Sequence, residues 1–163
     1  NMHAGTHIDI PMHLLEHDRY MSDMQLSEFM GEGKVLDVRG QPIIRLKDEY
    51  RDTIAEGCIV LLCTGSDKNF GSDKYFNDHP VLDIEFAKFL VQKRIKMLGM
   101  DTPSPDKYPF DVHKLLLKND IFIIENLKNV ESLLGYDKIN IIAFPLKVKA
   151  AGALARVAAT VNS

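Results

Sequence analysis

A continuous apolar segment at residues 58–63, with the sequence Cys-Ile-Val-Leu-Leu-Cys, constrains the fold of this chain more than any other feature. It is bounded by Gly57 and Gly65, and a short run of this kind is typical of a strand that is buried on both faces. A helical apolar pattern follows at residues 81–93, and a second apolar run follows at residues 96–100. The order strand, helix, strand predicts a crossover unit in a mixed α/β fold.

Further elements are predicted on both sides of this unit. Helices are predicted at residues 22–30, 47–55 and 111–118, and strands at residues 34–38, 121–124, 139–145 and 157–161. Residues 64–80 are rich in Gly, Asp, Asn and Ser and are predicted to form a long loop. No repeat or linker divides the sequence, so we interpret residues 1–163 as one domain. We also expect a missing upstream segment, because a dense polar motif begins at once with His3.

The composition argues against two classes of partner. The 163 residues include 20 Lys and Arg and 23 Asp and Glu, which gives a net charge of −3, whereas nucleic-acid-binding proteins carry clustered positive charge. The apolar runs are far shorter than the roughly 20 residues of a membrane-spanning helix. Cys58 and Cys63 would lie on opposite faces of one strand, roughly 16 Å apart and too far for a disulfide. Free buried thiols suggest a reduced compartment, and we expect the cytoplasm.

The residues with the most informative chemistry stand at the start of the chain. Four of the six histidines fall within residues 3–17. His3, His7, Asp9 and His13 all have odd numbers, and odd positions of an extended segment share one face. The even-numbered apolar residues between them would then face the core. The sequence therefore predicts a strand with one polar working face.

The spacing of these residues favours a metal site. On a strand, His7 and Asp9 would be roughly 6.6 Å apart, within reach of one ion, whereas His3 and His7 would be roughly 13 Å apart. We therefore expect a kink or bulge at Gly5, where glycine permits unusual backbone angles. Histidine with carboxylate suits zinc, manganese or iron better than calcium or magnesium. The alternative is a polar strand face that binds no ligand.

The run from His3 to His13 resembles the signature of the metal-dependent cyclase-like hydrolases, which include bacterial kynurenine formamidases and isatin hydrolases. Similar segments follow in the family's order at residues 75–80, 98–106, 121–127 and 144–147. The sequence departs from the family at Leu14, where an aromatic residue is common, at residues 152–156, and in having no Trp. The resemblance implies a swivelling β/β/α fold, with a mixed sheet and flanking helices.

The resemblance also implies a role for each candidate site residue. His3 and His7 match the histidines of a first metal, His113 matches the histidine of a second, Asp9 and Glu125 match the bridging carboxylates, and His13 matches the catalytic histidine that moves protons. Glu125 stands out independently, because it follows four apolar residues at a strand end, where an unpaired carboxylate is costly. Asp101 and Ser104 are expected to support the ligands through hydrogen bonds.

The activity implied by the resemblance is hydrolysis of an amide C–N bond by metal-activated water. The substrate would be a small aryl formamide or a cyclic amide, and the cofactor one or two divalent ions, with zinc expected before manganese. Two alternatives stay open: a non-catalytic metal-binding paralogue, and an ester or lactone hydrolase that uses the same site. We expect a homodimer or homotetramer, because the family resemblance implies an oligomer and because residues 150–155 are small and apolar for an exposed tail. That segment could instead pack within its own subunit.

Overall fold

The computed structural model describes residues 2–162, and nine strands form the frame of that part of the chain. The strands are β1 (His7–Asp9), β2 (Met30–Asp37), β3 (Ile43–Ile44), β4 (Ile59–Cys63), β5 (Val81–Leu82), β6 (Met97–Met100), β7 (Phe122–Glu125), β8 (Lys138–Pro145) and β9 (Gly152–Asn162). Seven of them form a closed barrel in the order β1-β7-β6-β4-β2-β8-β9, and β3 pairs with β5 separately. The three-residue β1 closes the barrel, because it pairs antiparallel with both β7 and β9.

Four α-helices accompany these strands within residues 2–162: α1 (Asp48–Thr53), α2 (Asp73–Asn77), α3 (Ile84–Gln92) and α4 (Asp111–Lys118). In sequence, α3 lies between β4 and β6, and α4 lies between β6 and β7. The strands β4, β6 and β7 run parallel to one another. The predicted crossover unit and the mixed α/β class are therefore confirmed, and α4 has the predicted bounds. None of the described helices has the length and apolarity needed to cross a membrane.

Strand β4 is buried on both faces, as the apolar run predicted. Val60 and Leu62 belong to a cluster that includes the apolar faces of α3 and α4. Ile59 and Leu61 belong to a second cluster, which fills the barrel. Burial of each such side chain contributes roughly 1.5–3 kcal/mol to stability. The strand thus joins the barrel interior to the helical layer.

The two cysteines fall into these two clusters. Cys58 packs in the helical cluster and Cys63 in the barrel cluster, and both are free and buried. Burial raises the pKa of the Cys63 thiol to about 11. Both thiols are therefore held in the neutral form at neutral pH, as expected for structural cysteines.

Several predicted segments differ from the structure: the strand predicted at residues 34–38 begins at Met30, and the helix predicted at residues 81–93 is preceded by β5 at Val81–Leu82. The helix predicted at residues 22–30 is wrong: this stretch forms two short 3₁₀ turns, Met21–Asp23 and Leu26–Phe29, and then enters β2. Met24 and Gln25 have extended backbone angles between the two turns, so they interrupt the helical path, and Met21, Met24 and Phe29 are buried from these turns. The loop predicted at residues 64–80 contains a 3₁₀ turn and α2.

The last strand begins earlier than predicted. It starts at Gly152 rather than at residue 157, because Gly152, Ala153 and Leu154 pair with β1. The small apolar segment therefore packs within its own chain, which was the alternative interpretation. The segment no longer supports an oligomer.

Candidate metal centre

The site begins with a turn immediately before β1. Gly5 has a φ of +95°, a left-handed conformation that glycine adopts without steric cost. The turn brings the ring of His3 to 4.8 Å from the ring of His7, centroid to centroid. The kink predicted at Gly5 is confirmed. The carbonyl oxygen of Gly5 also lies 2.9 Å from Nδ1 of His7, so Nδ1 donates to it and Nε2 is left to face the site.

The pairing of β1 with β7 places a carboxylate opposite His7. His7 and Glu125 are register partners, and Nε2 of His7 lies 3.2 Å from Oε2 of Glu125. Ile8 and Ile124, the next residues on the two strands, point into the barrel. Because neighbouring strand residues alternate in direction, His7 and Glu125 point outward, towards α4. From that helix, Nε2 of His113 lies 3.1 Å from Oε1 of Glu125.

The candidate ligands form two groups that share one residue. One group is His3, His7 and Asp9, and the other is Asp9, His113 and Glu125; within each group the ligand atoms lie within 4.8 Å of one another. Four of the five residues are almost fully buried, whereas the side chain of His3 is 35% exposed. The structure thus brings together all five residues for which metal ligation was predicted. Asp9 belongs to both groups, whereas Glu125, which was also expected to bridge two ions, belongs to the second group alone.

The chemistry of this cluster fits a cation. Within residues 2–162, His7 Nε2, Asp9 Oδ1 and Glu125 Oε1 are buried without a well-aligned hydrogen bond. They nonetheless lie 3.0–3.2 Å from polar atoms of other members of the cluster. Burial of polar atoms that lack hydrogen bonds lowers the stability of the folded state. A metal ion among them would remove this cost, because it accepts several lone pairs at once.

The electrostatics of the cluster also favour a bound cation. Burial disfavours a charge on His7, but the contacts with Asp9 and Glu125 outweigh burial and raise its pKa to about 10. Burial likewise opposes charging of His113, yet Asp106 and Glu125 raise its pKa to about 9. Without metal, the protonated imidazoles of His7 and His113 therefore balance the negative charge of the carboxylates. A divalent ion would replace these protons.

The second partner of His113 is Asp106, which the sequence analysis missed. Nδ1 of His113 lies 2.6 Å from Oδ1 of Asp106. Oδ2 of Asp106 accepts hydrogen bonds from the backbone N–H groups of Val112 and His113, at the start of α4. A carboxylate that orients a ligating histidine is a common arrangement in metal sites. The available signal was an aspartate shortly before a helix that carries a histidine.

The two residues predicted to support the ligands, Asp101 and Ser104, form hydrogen bonds with other groups. The carboxylate of Asp101 accepts hydrogen bonds from the N–H and hydroxyl groups of Thr64 and from the N–H of Gly65. It orders the loop after β4 instead of orienting a histidine. The hydroxyl of Ser104 accepts a long hydrogen bond of 3.4 Å from the backbone N–H of Asp106, which in turn contacts His113.

His13 lies beside the ligand groups without belonging to either. A 3₁₀ turn, Pro11–His13, carries it away from the strand. Nε2 of His13 is 3.8 Å from Oδ2 of Asp9, and the side chain is 28% exposed. Burial lowers the pKa of His13, in contrast to the pKa values of His7 and His113. The same motif thus contains candidate ligands, such as His7, and a histidine outside both ligand groups, His13.

A pocket of about 330 Å³ opens onto these groups. It is lined by His3, Asp9, His13, Leu14, Pro103, Ser104, Phe110, His113 and Glu125. Leu14, Pro103 and Phe110 form the apolar wall of this pocket. A larger cavity of about 470 Å³ lies between β9 and residues 127–133, but none of the candidate ligands lines it. We therefore assign the chemistry to the smaller pocket.

Gly152 on β9 presses against the site and provides a test of its packing. A Cβ atom at this position would meet Oδ1 of Asp9 at 2.6 Å and Cε1 of His3 at 3.0 Å. The Gly152→Ala variant is therefore expected to displace both side chains and to weaken binding of a divalent metal at least about tenfold, as disturbed ligand surroundings do. Isothermal titration of the metal-free protein with Zn²⁺ or Mn²⁺ measures this effect.

Gly31→Ala provides the matched control for that experiment. Gly31 is also a strand glycine, but an added Cβ would meet nothing closer than 3.4 Å, at Nζ of Lys96. This variant is expected to bind metal like the wild type. Equal metal affinity in both variants would contradict the close packing of β9 against the site.

The fold and the cluster together define a class of protein. A seven-stranded barrel that carries a histidine and carboxylate cluster on its outer face indicates a metal-dependent enzyme scaffold. Residues 1–107 match the family model described as putative cyclase, so this chain belongs to the putative cyclase family. The family resemblance found in the sequence is therefore confirmed.

Curated relatives and solved structures agree with this placement. The kynurenine formamidases of Bacillus cytotoxicus and Bacillus mycoides are 30% and 33% identical to the chain over 132 and 133 residues. Each match covers 78% of this chain, and the chain spans 61% of the length of each relative. A solved structure described as a potential metal-dependent hydrolase with cyclase activity is 28% identical, with a TM-score of 0.81, over 96% of this chain and 78% of that one.

A second solved structure extends the likeness in fold. An isatin hydrolase bound to the product analogue thioisatinate has a TM-score of 0.86 at 22% identity, covering 98% of this chain and 72% of that one. At this level of identity the likeness concerns the fold alone. It agrees with the mixed sheet and flanking helices predicted from the sequence.

Proposed function

We propose that this protein is a metal-dependent hydrolase that cleaves the C–N bond of a small amide, either an aryl formamide such as N-formylkynurenine or a cyclic amide. The observation that carries the proposal is the pair of ligand groups that share Asp9, next to a histidine, His13, that belongs to neither group. The relatives that are kynurenine formamidases support the substrate class. The apolar wall of the pocket suits an aromatic ring.

The cofactor in this proposal is one or two divalent ions. His3, His7 and Asp9 would hold one ion, and Asp9, His113 and Glu125 would hold the second. Histidine and carboxylate ligands favour zinc, followed by manganese. The chemistry that such an ion supplies when bound is Lewis-acid activation of water, with a pKa lowered towards ~7, and polarisation of the substrate carbonyl.

His13 is proposed to move the proton. Its imidazole lines the pocket, and its Nε2 lies 3.8 Å from the shared Asp9. As the attacking water forms a C–O bond with the carbonyl carbon, His13 accepts the proton that the water loses. When the C–N bond breaks, His13 returns that proton to the leaving nitrogen. The products are then a carboxylic acid and an amine.

The remaining residues orient the groups that react. Asp106 holds the imidazole of His113 with Nε2 towards Glu125. The carbonyl of Gly5 does the same for His7, with Nε2 towards Glu125. Leu14, Pro103 and Phe110 would hold the aryl group of the substrate and keep bulk water from that side of the pocket. The strands and α4 therefore fix the geometry before substrate arrives.

The decisive experiment is metal analysis of the purified protein followed by an activity screen. N-formylkynurenine, isatin and an aryl lactone are offered to the same preparation before and after removal of metal with a chelator. We expect bound zinc or manganese, and amide hydrolysis that stops in chelator and returns when metal is added. Metal binding without hydrolysis of any of the three would instead support a non-catalytic paralogue. Faster turnover of the lactone would favour an ester or lactone hydrolase.

We further propose a cytoplasmic enzyme that acts as a homodimer or homotetramer. The two buried free thiols support a reduced compartment. The oligomer rests on the resemblance to the family alone, since residues 152–154 are used within the chain. Light scattering of the purified protein measures the assembly directly.

A further inference from the structure

Asn126, which directly follows the candidate ligand Glu125, has an unusual backbone conformation. Its φ is +56°, in the left-handed region that residues other than glycine rarely adopt. The residue is also buried, with 5% of its surface exposed. A conformation of this kind costs about 1–3 kcal/mol and persists only where the surroundings impose it. The contacts of Asn126 show what imposes it.

The backbone of Asn126 is fixed on both sides. Its N–H donates to the carbonyl oxygen of Thr102 at 2.9 Å. Its own carbonyl oxygen accepts a hydrogen bond of 2.7 Å from the hydroxyl of Thr6, which directly precedes His7. The first bond ties the end of β7 to the segment after β6, and the second ties it to the start of β1. The two strands that carry Glu125 and His7 are therefore joined at this residue.

The side chain of Asn126 links a buried tyrosine to the same histidine. The hydroxyl of Tyr75 donates to Oδ1 of Asn126 at 2.7 Å. Nδ2 of Asn126 packs at 3.4 Å against Nδ1 of His7, the ring nitrogen that donates to Gly5 and faces away from Glu125. Tyr75 is 1% exposed and belongs to α2. The tyrosine thus lies behind the histidine and reaches this candidate ligand through Asn126.

We propose that Tyr75 and Asn126 are positioning residues that set the metal affinity of the site by holding the ring of His7 and the end of β7 in place. Tyr75 fixes the amide of Asn126, and the amide limits rotation of the His7 ring from behind. The left-handed turn directs the chain after Glu125 so that its carboxylate stays on the outer face of the barrel. This inference rests on the proposed function, because it assumes that His7 and Glu125 hold metal.

The arrangement gives α2 a role that its place in a polar loop does not suggest. The side chain of Tyr75 also packs edge-to-face against Phe70 and Phe76, which belong to the same segment. The hydroxyl of Tyr75 therefore connects the conformation of residues 64–80 to the position of the candidate ligands. A change at that hydroxyl should be felt at the metal and not only in the stability of the loop.

Tyr75→Phe tests the proposal, because it removes one hydroxyl and keeps the aromatic packing. We expect the Kd for Zn²⁺ or Mn²⁺, measured by titration of the metal-free protein, to rise by about 10–100-fold, the usual effect of losing a group that orients a ligand. The Tm measured in chelator reports the stability of the metal-free protein and so distinguishes an effect on metal affinity from a purely structural role. A merely structural tyrosine would lower that Tm and leave the metal affinity unchanged.

Tyr50→Phe is the matched control, since Tyr50 is another buried tyrosine, packed on Phe86 in the helical cluster. Its metal affinity should equal that of the wild type. Equal affinity in Tyr75→Phe and Tyr50→Phe would overturn the inference while leaving the proposed function intact. A wild-type protein that binds neither metal would overturn both.

Two substitutions of Asn126 separate the roles of its backbone and its side chain. Asn126→Gly removes the amide but tolerates the left-handed conformation, whereas Asn126→Ala removes the amide and strains the backbone. We expect weakened metal binding in both variants, with a lower Tm in chelator for Asn126→Ala alone. Wild-type affinity in Asn126→Gly would show that the amide does not position His7, and would overturn that part of the inference.

Discussion

The Asp9→Asn variant is expected to lose tight binding of divalent metal and, with it, measurable hydrolysis. Asp9 belongs to both candidate ligand groups, so one substitution weakens both at once. The amide has the same shape as the carboxylate, but it carries no charge to balance the ions. We expect the metal affinity to fall by more than about 100-fold, beyond the 10–100-fold typical of groups that only orient a ligand. Plasma emission analysis after dialysis against a weak chelator measures the retained metal.

Asp101→Asn provides the matched control for that prediction. Asp101 is equally buried, but its carboxylate accepts hydrogen bonds from Thr64 and Gly65 and belongs to neither ligand group. The variant is expected to lower the Tm and to retain its metal. Retention of metal by Asp9→Asn would contradict the assignment of Asp9 as a shared ligand.

The His13→Ala variant is expected to keep its metal and to lose about 10²–10⁴-fold in kcat, the usual contribution of general acid–base catalysis. His13 lines the pocket but lies outside both ligand groups. Metal content and initial rates are measured on the same preparation. His7→Ala, in contrast, is expected to lower metal content and activity together.

His17→Ala is the control for His13→Ala. His17 lies in the same segment and has a similar exposure, 27%, but it contacts the backbone of Arg19 instead of the site. This variant should retain both metal and rate. If His13→Ala loses its metal as completely as His7→Ala does, then His13 is a ligand and the proposed reaction lacks its proton carrier.

The parts of the fold that the sequence predicted are those with a local cause. The buried strand at residues 59–63 and the helix Asp111–Lys118 follow from apolar runs and helical spacing. The helix predicted at residues 22–30 was wrong because long-range burial of Met21, Met24 and Phe29 overrode local propensity. The early start of β9 depends on pairing with β1, which nothing within residues 152–156 encodes.

The candidate site likewise contains residues that local sequence predicts and residues that it does not. The cluster at His3, His7 and Asp9 was predictable because its residues are neighbours in sequence and the kink at Gly5 has a clear chemical reason. The partners that orient the ligands were not predictable. Asp106 reaches His113 through the start of a helix, and Tyr75 reaches His7 through Asn126 across the fold. Such contacts depend on tertiary geometry that spacing alone does not carry.

Because β1 closes the barrel by pairing with β7 and β9, the candidate metal site is completed late in the synthesis of this chain. His7 and Asn126, which are in contact, are 119 positions apart in sequence. A ribosome adding roughly 5–20 residues per second needs about 6–24 s to synthesise that interval. During this time the nascent histidines and Asp9 are exposed without Glu125, and β9 is made later still. Capture of a metal ion by the complete site is therefore expected only after β9 has been synthesised.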